Sequence, residues 1–272
     1  MSTTRHPTSE VPLALEDSGL RRCMAGRTPA VFTDYDGTLT PIVARPELAR
    51  IDAAMAGALG RLASICVVGI ISGRDLEDVR SIAHAEHVWY AGSHGMDLLG
   101  PDGTRHQHPG SVELAPDLAA AADELEDRLA SIPHAWVERK RFATAAHYRQ
   151  VDATLWPAVA EAVDATLAGH PRLRRTGGKC IYELRPDVDW DKGRALWWLF
   201  DRAGLDRSGT VALYLGDDLT DEDAFAALGD DGVGIVVVDY DRPTYADVRV
   251  RDVAEVLLLL EDLVDYLEDA KA

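Results

Sequence analysis

The sequence contains little cysteine, and its three cysteines lie far apart. Cys23, Cys66 and Cys180 fit neither a disulfide framework nor the spacing of zinc ligands. We interpret them as packing residues of a reduced, intracellular protein. A disulfide-stabilised secreted fold and a structural zinc site are therefore disfavoured.

Basic residues and long apolar runs are also scarce. The chain carries 28 Lys and Arg against 46 Asp and Glu, a net charge of −18, whereas nucleic acids and anionic membranes attract basic surfaces. The first residues contain no apolar core of signal-peptide length. The longest aliphatic run, 256–260, is far shorter than the ~20 residues of a membrane span. These absences predict a cytoplasmic protein that binds neither nucleic acid nor membrane.

The composition that remains is that of a folded protein. Of 272 residues, 47% are hydrophobic and 27% are charged, which excludes intrinsic disorder. This length can bury a sizeable core, as one large domain or two smaller ones. Residues 1–26 resemble a polar lead-in with at most one short helix over 13–24.

Short apolar segments that end in polar or glycine-rich loops predict buried strands. They occupy residues 30–33, 65–71, 211–215 and 233–238, and such runs are typical of a parallel sheet covered on both faces. Apolar residues at helical spacing lie between or after them, so the alternation predicts a doubly wound, Rossmann-like α/β core. The helical stripes are Leu48, Ile51 and Met55; Leu76, Val79 and Ile82; Leu196, Leu199 and Phe200; and a long helix over 253–267.

The middle of the chain has a different pattern. Two helices and three strands are predicted there, over 116–130 and 152–168 and over 135–138, 142–148 and 180–184. This order suggests a smaller α+β domain inserted into the core. We predict that the insert spans residues 106–185 and that the catalytic core spans 27–105 and 186–272.

Charge also distinguishes the middle of the chain. Residues 134–185 contain nine Lys and Arg and five Asp and Glu, whereas the remainder contains 19 and 41. A basic insert on an acidic body suggests that the insert grips an anion. The alternative is an uneven surface without a ligand.

Two acidic motifs follow predicted strands. Asp34 and Asp36 lie in the segment DYDGT after the first strand, where an open α/β sheet binds ligands. An isolated Asp-x-Asp pair is more often a turn or a helix cap. The second motif, GDDLTDED at 216–223, also follows a strand, and its Glu222 and Asp223 are better suited to capping the next helix.

If the two strands are neighbours, the acidic side chains converge. Like charges at ~4 Å repel by several kcal/mol at an intermediate dielectric, so such a cluster needs protons or a cation. A hard divalent ion with oxygen ligands, most simply Mg²⁺, meets that need. The alternative is a solvated acidic loop. The candidate metal-site residues are Asp34, Asp36, Asp217, Asp218 and Asp221.

Two further elements supply donors or positive charge. Ser72 follows the 65–71 strand and opens a helix, where a hydroxyl and backbone N–H groups can bind an anion. Lys192 also stands at a helix start, which is unfavourable for the helix dipole unless it neutralises something such as a phosphate. The alternatives are a simple cap and an exposed lysine.

These residues carry a resemblance to a known family. Asp34-x-Asp36-Gly-Thr, Ser72, Lys192 and Gly216-Asp-Asp-x-x-Asp221 occur in the order of the four motifs of the haloacid dehalogenase superfamily of phosphohydrolases. The finer resemblance, from about residue 30 to 250, is to trehalose-6-phosphate phosphatases. It is carried by FTDYDGTLTPI, ISGR, GSHG and GDDLTDEDAF in the core and by VERK, HYR and GKCIYELRP in the insert.

The resemblance implies hydrolysis of trehalose 6-phosphate by a covalent phosphoryl transfer. Asp34 would attack phosphorus, and Asp36 would protonate the departing sugar oxygen and then deprotonate the hydrolytic water. Mg²⁺ would be held by a side-chain oxygen of Asp34, the backbone carbonyl of Asp36 and Asp217. Asp218 and Asp221 would orient the waters of the ion or bind it indirectly. Ser72 and Lys192 would hold the phosphate oxygens.

The resemblance also implies which residues bind the substrate, and it implies a pathway partner. A separate trehalose-phosphate synthase in the same pathway would supply the substrate. For each implied contact the alternative is a surface salt bridge. The expected sugar contacts are Glu138, Lys140, Arg149, Lys179 and Glu183 in the insert and Arg74, His94 and Gly95 in the core.

Three other functions compete with this interpretation. A related phosphatase could act on sucrose or mannosyl-phosphoglycerate esters, but the insert motifs argue against it. A silent regulator that binds the sugar phosphate would be expected to lose Asp34 or Asp36, and both are present. A metal-buffering acidic protein would not explain Ser72, Lys192 and the basic insert.

Overall fold

The computed structural model of the chain describes residues 5–43, 45–178, 180–238 and 240–270. Within these residues it contains fourteen strands and eight α-helices. The strands are β1 His6–Pro7, β2 Thr28–Thr33, β3 Val68–Ile71, β4 Trp89–Gly92, β5 Asp97–Leu99, β6 Arg105–Gln107, β7 Trp136–Arg139, β8 Thr144–His147, β9 Leu173–Gly178, β10 Ile181–Pro186, β11 Thr210–Gly216, β12 Gly232–Val237, β13 Pro243–Thr244 and β14 Val248–Val250. The helices are α1 Ser18–Met24, α2 Ala53–Ala63, α3 Leu76–Ala83, α4 Pro109–Leu129, α5 Trp156–Gly169, α6 Lys192–Arg202, α7 Glu222–Leu228 and α8 Val253–Asp269.

The chain divides into two compact units. The core unit contains the described residues up to 106 and those from 190 onward, and the small unit contains those of 107–189. Each unit has an apolar interior of its own.

The core unit is built on an eight-stranded sheet in the order β14-β12-β11-β2-β3-β4-β5-β6. The first six strands in this order run parallel to their neighbours, and β5 is antiparallel to β4. The predicted class, a doubly wound parallel core with a separate smaller α+β unit, is confirmed.

Alternate residues of the central strands enter two apolar layers. On one face, Val31 and Leu213 pack with residues of α1, α2, α3 and α8. On the other face, Phe32 and Tyr214 pack with residues of α6 and α7. Because side chains alternate along a strand, a strand buried on both faces needs apolar residues at nearly every position. This requirement produces the continuous apolar runs in the sequence.

The N-terminal segment is packed more tightly than its polar sequence suggested. Strand β1 pairs with β13, and Val11 and Leu20 are buried in the core unit. Helix α1 is shorter than the predicted 13–24, because Asp17 accepts a hydrogen bond from Gly19 N at 2.8 Å and starts the helix there. The scattered apolar residues of this polar segment pack against the core unit, a contact that the local sequence pattern does not predict.

The stripe predicted around residue 48 is wrong in its first part. Leu48 lies in a short 3₁₀ turn and is 60% exposed. Helix α2 begins later, because Asp52 caps it by accepting a hydrogen bond from Met55 N at 2.8 Å. Met55 is buried as expected.

The small unit is a four-stranded antiparallel sheet in the order β7-β8-β10-β9. Helices α4 and α5 cover one face, where Leu125, Val163 and Leu184 form part of the interior. Strand β9 was not predicted, because its residues are mostly basic or glycine. No helix in the described ranges has the length and apolar character needed to cross a bilayer.

Candidate active site

The ends of three neighbouring parallel strands carry the candidate catalytic residues. Asp34 follows β2, Ser72 follows β3 and Asp217 follows β11. The strands are in register, and the backbone N–H of Asp34 donates to Leu215 O at 2.8 Å. The parallel order therefore places these side chains at one edge of the sheet. The sequence predicted this for Asp34 and Asp217 on the condition that their strands are neighbours, and β2 and β11 do pair.

Three acidic side chains come together at this edge. One carboxylate oxygen from each of Asp34, Asp217 and Asp221 lies within 4.8 Å of the other two. The residues are 6%, 8% and 0% exposed. Burial is the largest cause that raises the pKa of Asp34 to about 8 and that of Asp217 to about 7; the neighbouring carboxylates act in the same direction, and Lys192 opposes them. The cluster therefore resists carrying its full negative charge.

Among the described residues, Lys192 is the cation in direct contact with this cluster. Its Nζ lies 3.0 Å from Asp34 Oδ2 and 2.7 Å from Asp221 Oδ1. Burial lowers the pKa of Lys192, but Asp221 and Asp34 outweigh that effect and leave the pKa above its ordinary value. One ammonium does not neutralise three carboxylates, so the cluster can accept a further positive charge.

Asp221 already receives four hydrogen bonds. Oδ1 accepts from Lys192 and from the Tyr214 hydroxyl at 2.7 Å, and Oδ2 accepts from the backbone N–H groups of Asp217 at 3.1 Å and Asp218 at 2.9 Å. With two donors on each oxygen, its lone pairs are largely used. Asp221 is thus suited to ordering the loop, and Asp34 and Asp217 are better suited to be ligands of a cation.

The donor set fits a hard divalent ion. Asp34 and Asp217 offer carboxylate oxygens, which are the atoms that Mg²⁺ prefers. The Thr38 hydroxyl donates to Asp217 Oδ1 at 3.2 Å and leaves Oδ2 for other partners. Asp218, also predicted as a metal-site residue, lies outside the three-residue cluster, because its carboxylate accepts a hydrogen bond from Leu219 N and caps the following 3₁₀ turn.

Gly37 lets the first acidic loop approach the second. Its φ is +82°, in the left-handed region that favours glycine. A Cβ atom at Gly37 would stand 2.1 Å from Asp217 Oδ2. The glycine in the DYDGT motif is therefore required both for the turn and for the room that Asp217 occupies.

Arg74 holds the carboxylate of Asp36. Its Nε donates to Asp36 Oδ2 at 2.6 Å and its Nη2 donates to Asp36 Oδ1 at 2.7 Å, while Nη1 reaches Asp78 Oδ2 at 2.9 Å. Asp36 was predicted as the proton donor and Arg74 as a substrate contact. The two-point pairing between them was not predicted, because the sequence pattern does not specify which side chains of two adjoining loops contact each other.

Ser72 and the GSHG segment lie next to each other beside β3. Ser72 is buried, its hydroxyl accepts a hydrogen bond from Arg74 N at 3.1 Å, and its carbonyl accepts from His94 N at 2.8 Å. His94 and Gly95 both have positive φ, and a Cβ at Gly95 would lie 2.2 Å from Ala195 Cβ. Trp190 Nε1 donates to His94 O at 3.0 Å. The segment is thus tightly fixed.

In the small unit, the predicted sugar contacts form a charged group on the sheet. Lys140 Nζ lies 2.9 Å from Glu183 Oε1 and 4.0 Å from Glu138 Oε2. Burial raises the pKa of Glu183, but Arg185 and Lys140 outweigh it and hold the pKa below its usual range. His147 Nε2 lies 2.8 Å from Glu138 Oε2 and lowers the pKa of that carboxyl.

Two further sugar contacts, Arg149 and Lys179, were predicted in the small unit. Arg149 is exposed in the turn after β8, and Lys179 lies outside the described residues. Arg185 and His147 were not singled out as sugar contacts. Strand alternation could have identified Arg185, because it is two residues from Glu183 on β10 and therefore points to the same face.

Comparison with known proteins identifies similar sequences and folds. A family model described as trehalose-phosphatase matches residues 32–254. The trehalose-phosphate phosphatase of Mycobacterium marinum is 46% identical over 242 residues, which are 88% of this chain and 62% of that protein. A Mycobacterium tuberculosis protein described as an uncharacterized glycosyl hydrolase is 45% identical over 275 residues, which are 96% of this chain and 20% of that protein. This chain thus spans less than two thirds of each relative.

A solved structure described as a trehalose-6-phosphate phosphatase related protein has the same fold. It matches with a TM-score of 0.74 at 26% sequence identity, covering 89% of this chain and 100% of the other.

Proposed function

The chain belongs to the trehalose-phosphatase family, and on that premise we propose that it hydrolyses trehalose 6-phosphate to trehalose and inorganic phosphate. The observation that carries this proposal is the buried arrangement of Asp34, Asp217 and Lys192 at the carboxyl edge of the sheet. A carboxylate fixed beside an ammonium suits attack on a phosphate monoester.

Asp34 is the nucleophile in this proposal. Its backbone N–H is tied to β11 and its carboxylate to Lys192, so the oxygen that attacks phosphorus is held in place. Attack forms an aspartyl-phosphate and releases the sugar oxygen. Lys192 and Ser72 hold the phosphate oxygens while negative charge on them is redistributed.

Asp36 is the general acid and then the general base. It gives a proton to the departing sugar oxygen, and its carboxylate then takes a proton from the water that hydrolyses the aspartyl-phosphate. Arg74 donates to both oxygens of Asp36 and orients the carboxylate that accepts the proton. In the first half-reaction one of these oxygens carries the proton instead and gives up its hydrogen bond with Arg74. A fixed orientation matters because the same carboxyl acts in both half-reactions.

Mg²⁺ is the proposed cofactor. Carboxylate oxygens of Asp34 and Asp217 and the backbone carbonyl of Asp36 would hold it, while Asp221 and Asp218 act indirectly. When bound, the ion neutralises charge on the phosphate and allows a carboxylate to approach it. The excess of carboxylates over ammonium groups at this site supports the assignment.

The small unit is proposed to supply the sugar specificity. Glu138, Lys140 and Glu183 present charged donors and acceptors close together, which suits a disaccharide rich in hydroxyl groups. Arg149 and Lys179 are further proposed sugar contacts in the small unit. His94 and Gly95 of the core unit are proposed separately as substrate contacts. Location in the cytoplasm and a separate trehalose-phosphate synthase as pathway partner remain predictions.

Phosphate release from a panel of sugar phosphates tests the function. We expect wild-type protein with Mg²⁺ to prefer trehalose 6-phosphate, and Asp34→Asn to be inactive while Asp265→Asn, an exposed change on α8, retains activity. Preference for another sugar phosphate would contradict the substrate. Equal release by Asp34→Asn would contradict the covalent step, and full activity after exhaustive chelation would contradict the metal.

A further inference from the structure

A buried arginine binds the backbone of the loop that carries Asp217. The side chain of Arg242 is 5% exposed. Its Nη2 donates to the backbone carbonyl of Asp217 at 2.8 Å and, more weakly, to that of Asp218 at 3.4 Å. The proposed function gives Arg242 no role.

Two hydrogen bonds hold the peptide group between Asp217 and Asp218, one at each end. Its carbonyl oxygen accepts from Arg242, and its N–H donates to Asp221 Oδ2 at 2.9 Å. A peptide unit is planar, so fixing its oxygen and its nitrogen fixes the backbone rotation on the carbonyl side of Asp217. That rotation helps to set where the Asp217 carboxylate points.

Glu222 balances the charge of Arg242. The Nη1 of Arg242 donates to Glu222 Oε1, and Glu222 Oε2 accepts from Tyr245 N at 2.8 Å. Both side chains are buried. The sequence pattern had assigned Glu222 to a helix cap, but its carboxylate forms this ion pair. Because the pair is neutral overall, it fixes the backbone of the acidic loop without adding net charge there.

The N-terminal segment holds the backbone of Arg242. Thr8 N donates to Arg242 O at 2.9 Å, and Arg242 N donates to the Thr8 hydroxyl at 3.2 Å. That hydroxyl donates in turn to Asp241 Oδ1 at 3.0 Å, and Thr8 is fully buried. Thr8 follows β1 directly and lies outside residues 32–254, which the family model matches.

We propose that Arg242 is a positioning residue for the Asp217 ligand and that Thr8 and β1 keep Arg242 in place. This proposal rests on the metal site assigned under the proposed function, and it extends the site to a segment that resembled a polar lead-in. Lysine cannot replace the arginine, because one ammonium does not reproduce the planar fork that reaches Glu222 and the carbonyls together.

Direct titration of Mg²⁺ into the full chain by calorimetry, without substrate, tests the proposal. We expect Arg242→Lys to raise the Kd for Mg²⁺ by about 10–100-fold, the usual effect of losing a group that orients a ligand. At saturating Mg²⁺ its kcat should largely recover. An unchanged Kd with a lower melting temperature would show a merely structural role and overturn the proposal.

A second variant guards against misfolding. Removing Arg242 alone leaves Glu222 buried without its partner, so the paired change Arg242→Met with Glu222→Gln removes both charges together. We expect this double variant to fold, as circular dichroism would show, and to bind Mg²⁺ as weakly as Arg242→Lys. Wild-type affinity in the folded double variant would contradict the positioning role.

The role of the N-terminal segment is tested separately. Thr8→Val removes the hydroxyl while keeping the shape and should weaken Mg²⁺ binding, whereas Thr8→Ser should preserve it. The matched control is Arg249→Met, because Arg249 Nε donates to Val11 O at 2.8 Å and also ties this segment to the core unit. The control should lower the melting temperature alone. Equal Mg²⁺ loss in Thr8→Val and Arg249→Met would contradict the specific path through Arg242.

The outcomes separate this proposal from the proposed function. A wild-type protein that binds Mg²⁺ but releases no phosphate from trehalose 6-phosphate would overturn the function and leave the positioning role standing. A wild-type protein that binds no Mg²⁺ would overturn both the metal site and the role of Arg242.

Discussion

At the scale of single residues, Lys192 determines whether the acidic cluster can be buried. It contacts Asp34 and Asp221 at 3.0 and 2.7 Å, and all three side chains are buried. Removing one partner of a buried ion pair leaves an uncompensated charge, which is more costly than the pair itself was stabilising. Lys192 should therefore matter for stability as well as for catalysis.

We predict that Lys192→Met lowers the free energy of unfolding by about 3–5 kcal/mol, because two carboxylates lose their counter-ion. Adding Asp221→Asn should recover part of that loss, because the Asn oxygen can still accept from the two backbone N–H groups. Urea unfolding of the two single variants and the double variant measures this coupling. Strictly additive losses would contradict the interaction.

The pH dependence of the metal-free protein follows from Asp34 and Asp217. Burial is the largest cause that raises their pKa values to about 8 and about 7, above an unfolded carboxyl value of about 3.9. The folded chain therefore binds more protons than the unfolded chain from about pH 4 to about pH 8, and this contribution to stability is lost as pH rises through that window.

Mg²⁺ should reverse this loss, because it binds the deprotonated carboxylates. We predict that the rise in melting temperature on adding Mg²⁺ is larger at about pH 8 than at about pH 5.5. Thermal unfolding at the two pH values measures it. Asp265→Asn should keep the difference and Asp34→Asn with Asp217→Asn should abolish it. An equal rise at both pH values in wild type would contradict the prediction.

Of the five acidic residues that the sequence predicted to converge, Asp34, Asp217 and Asp221 form the cluster, whereas Asp36 and Asp218 lie outside it. Asp34 and Asp217 follow apolar segments, so parallel pairing of those segments was enough to bring them together. The division of roles among Asp217, Asp218 and Asp221 depends on which N–H groups face each carboxylate. Those contacts arise from the turn geometry of the loop, and residue types alone do not specify them.

At the scale of elements, the DYDGT turn depends on one glycine for two reasons. Gly37 has a φ of +82°, and a Cβ there would collide with Asp217. Gly103 has the same φ, but a Cβ there meets nothing within 4 Å. Comparing substitutions at Gly37 and Gly103 therefore separates the effect of backbone strain from the effect of the collision with Asp217.

We predict that Gly103→Ala costs about 1 kcal/mol of stability, the left-handed penalty for a residue with a Cβ, and leaves phosphatase activity unchanged. Gly37→Ala should cost more and should also abolish Mg²⁺ binding, because Asp217 must move. Unfolding curves and Mg²⁺ titrations of both variants measure the difference. Equal behaviour of the two would contradict the collision.

Elements buried on both faces were predictable, and elements fixed by polar contacts were less so. Strands β2, β11 and β12 follow continuous apolar runs and lie within two residues of the predicted bounds. Strand β9 reads Leu-Arg-Arg-Thr-Gly-Gly, and it forms because β10 pairs along its whole length. Sequence pattern reports burial of side chains, and it does not report backbone pairing offered by a distant strand.

At the scale of the whole molecule, chemistry and specificity are proposed to reside in different units. The acidic cluster and Lys192 belong entirely to the core unit, and the Glu138, Lys140 and Glu183 group belongs to the small unit. The N-terminal segment shows where whole-chain prediction from sequence fails, because the buried Thr8 acquires its hydrogen-bond partners from residues more than 230 positions away.

This division predicts that the two activities can be separated. Glu183→Gln removes the charge that Lys140 and Arg185 share, so the KM for trehalose 6-phosphate should rise about 10–100-fold, as expected for a lost charged hydrogen bond of about 1.5–3 kcal/mol. Hydrolysis of p-nitrophenyl phosphate, which offers no sugar, should keep its rate. The matched control is Arg172→Met, which breaks an exposed pair with Asp117 elsewhere in the small unit and should change neither. If Glu183→Gln slowed both substrates equally, the small unit would be acting on the chemistry itself, and the assignment of specificity to it would be wrong.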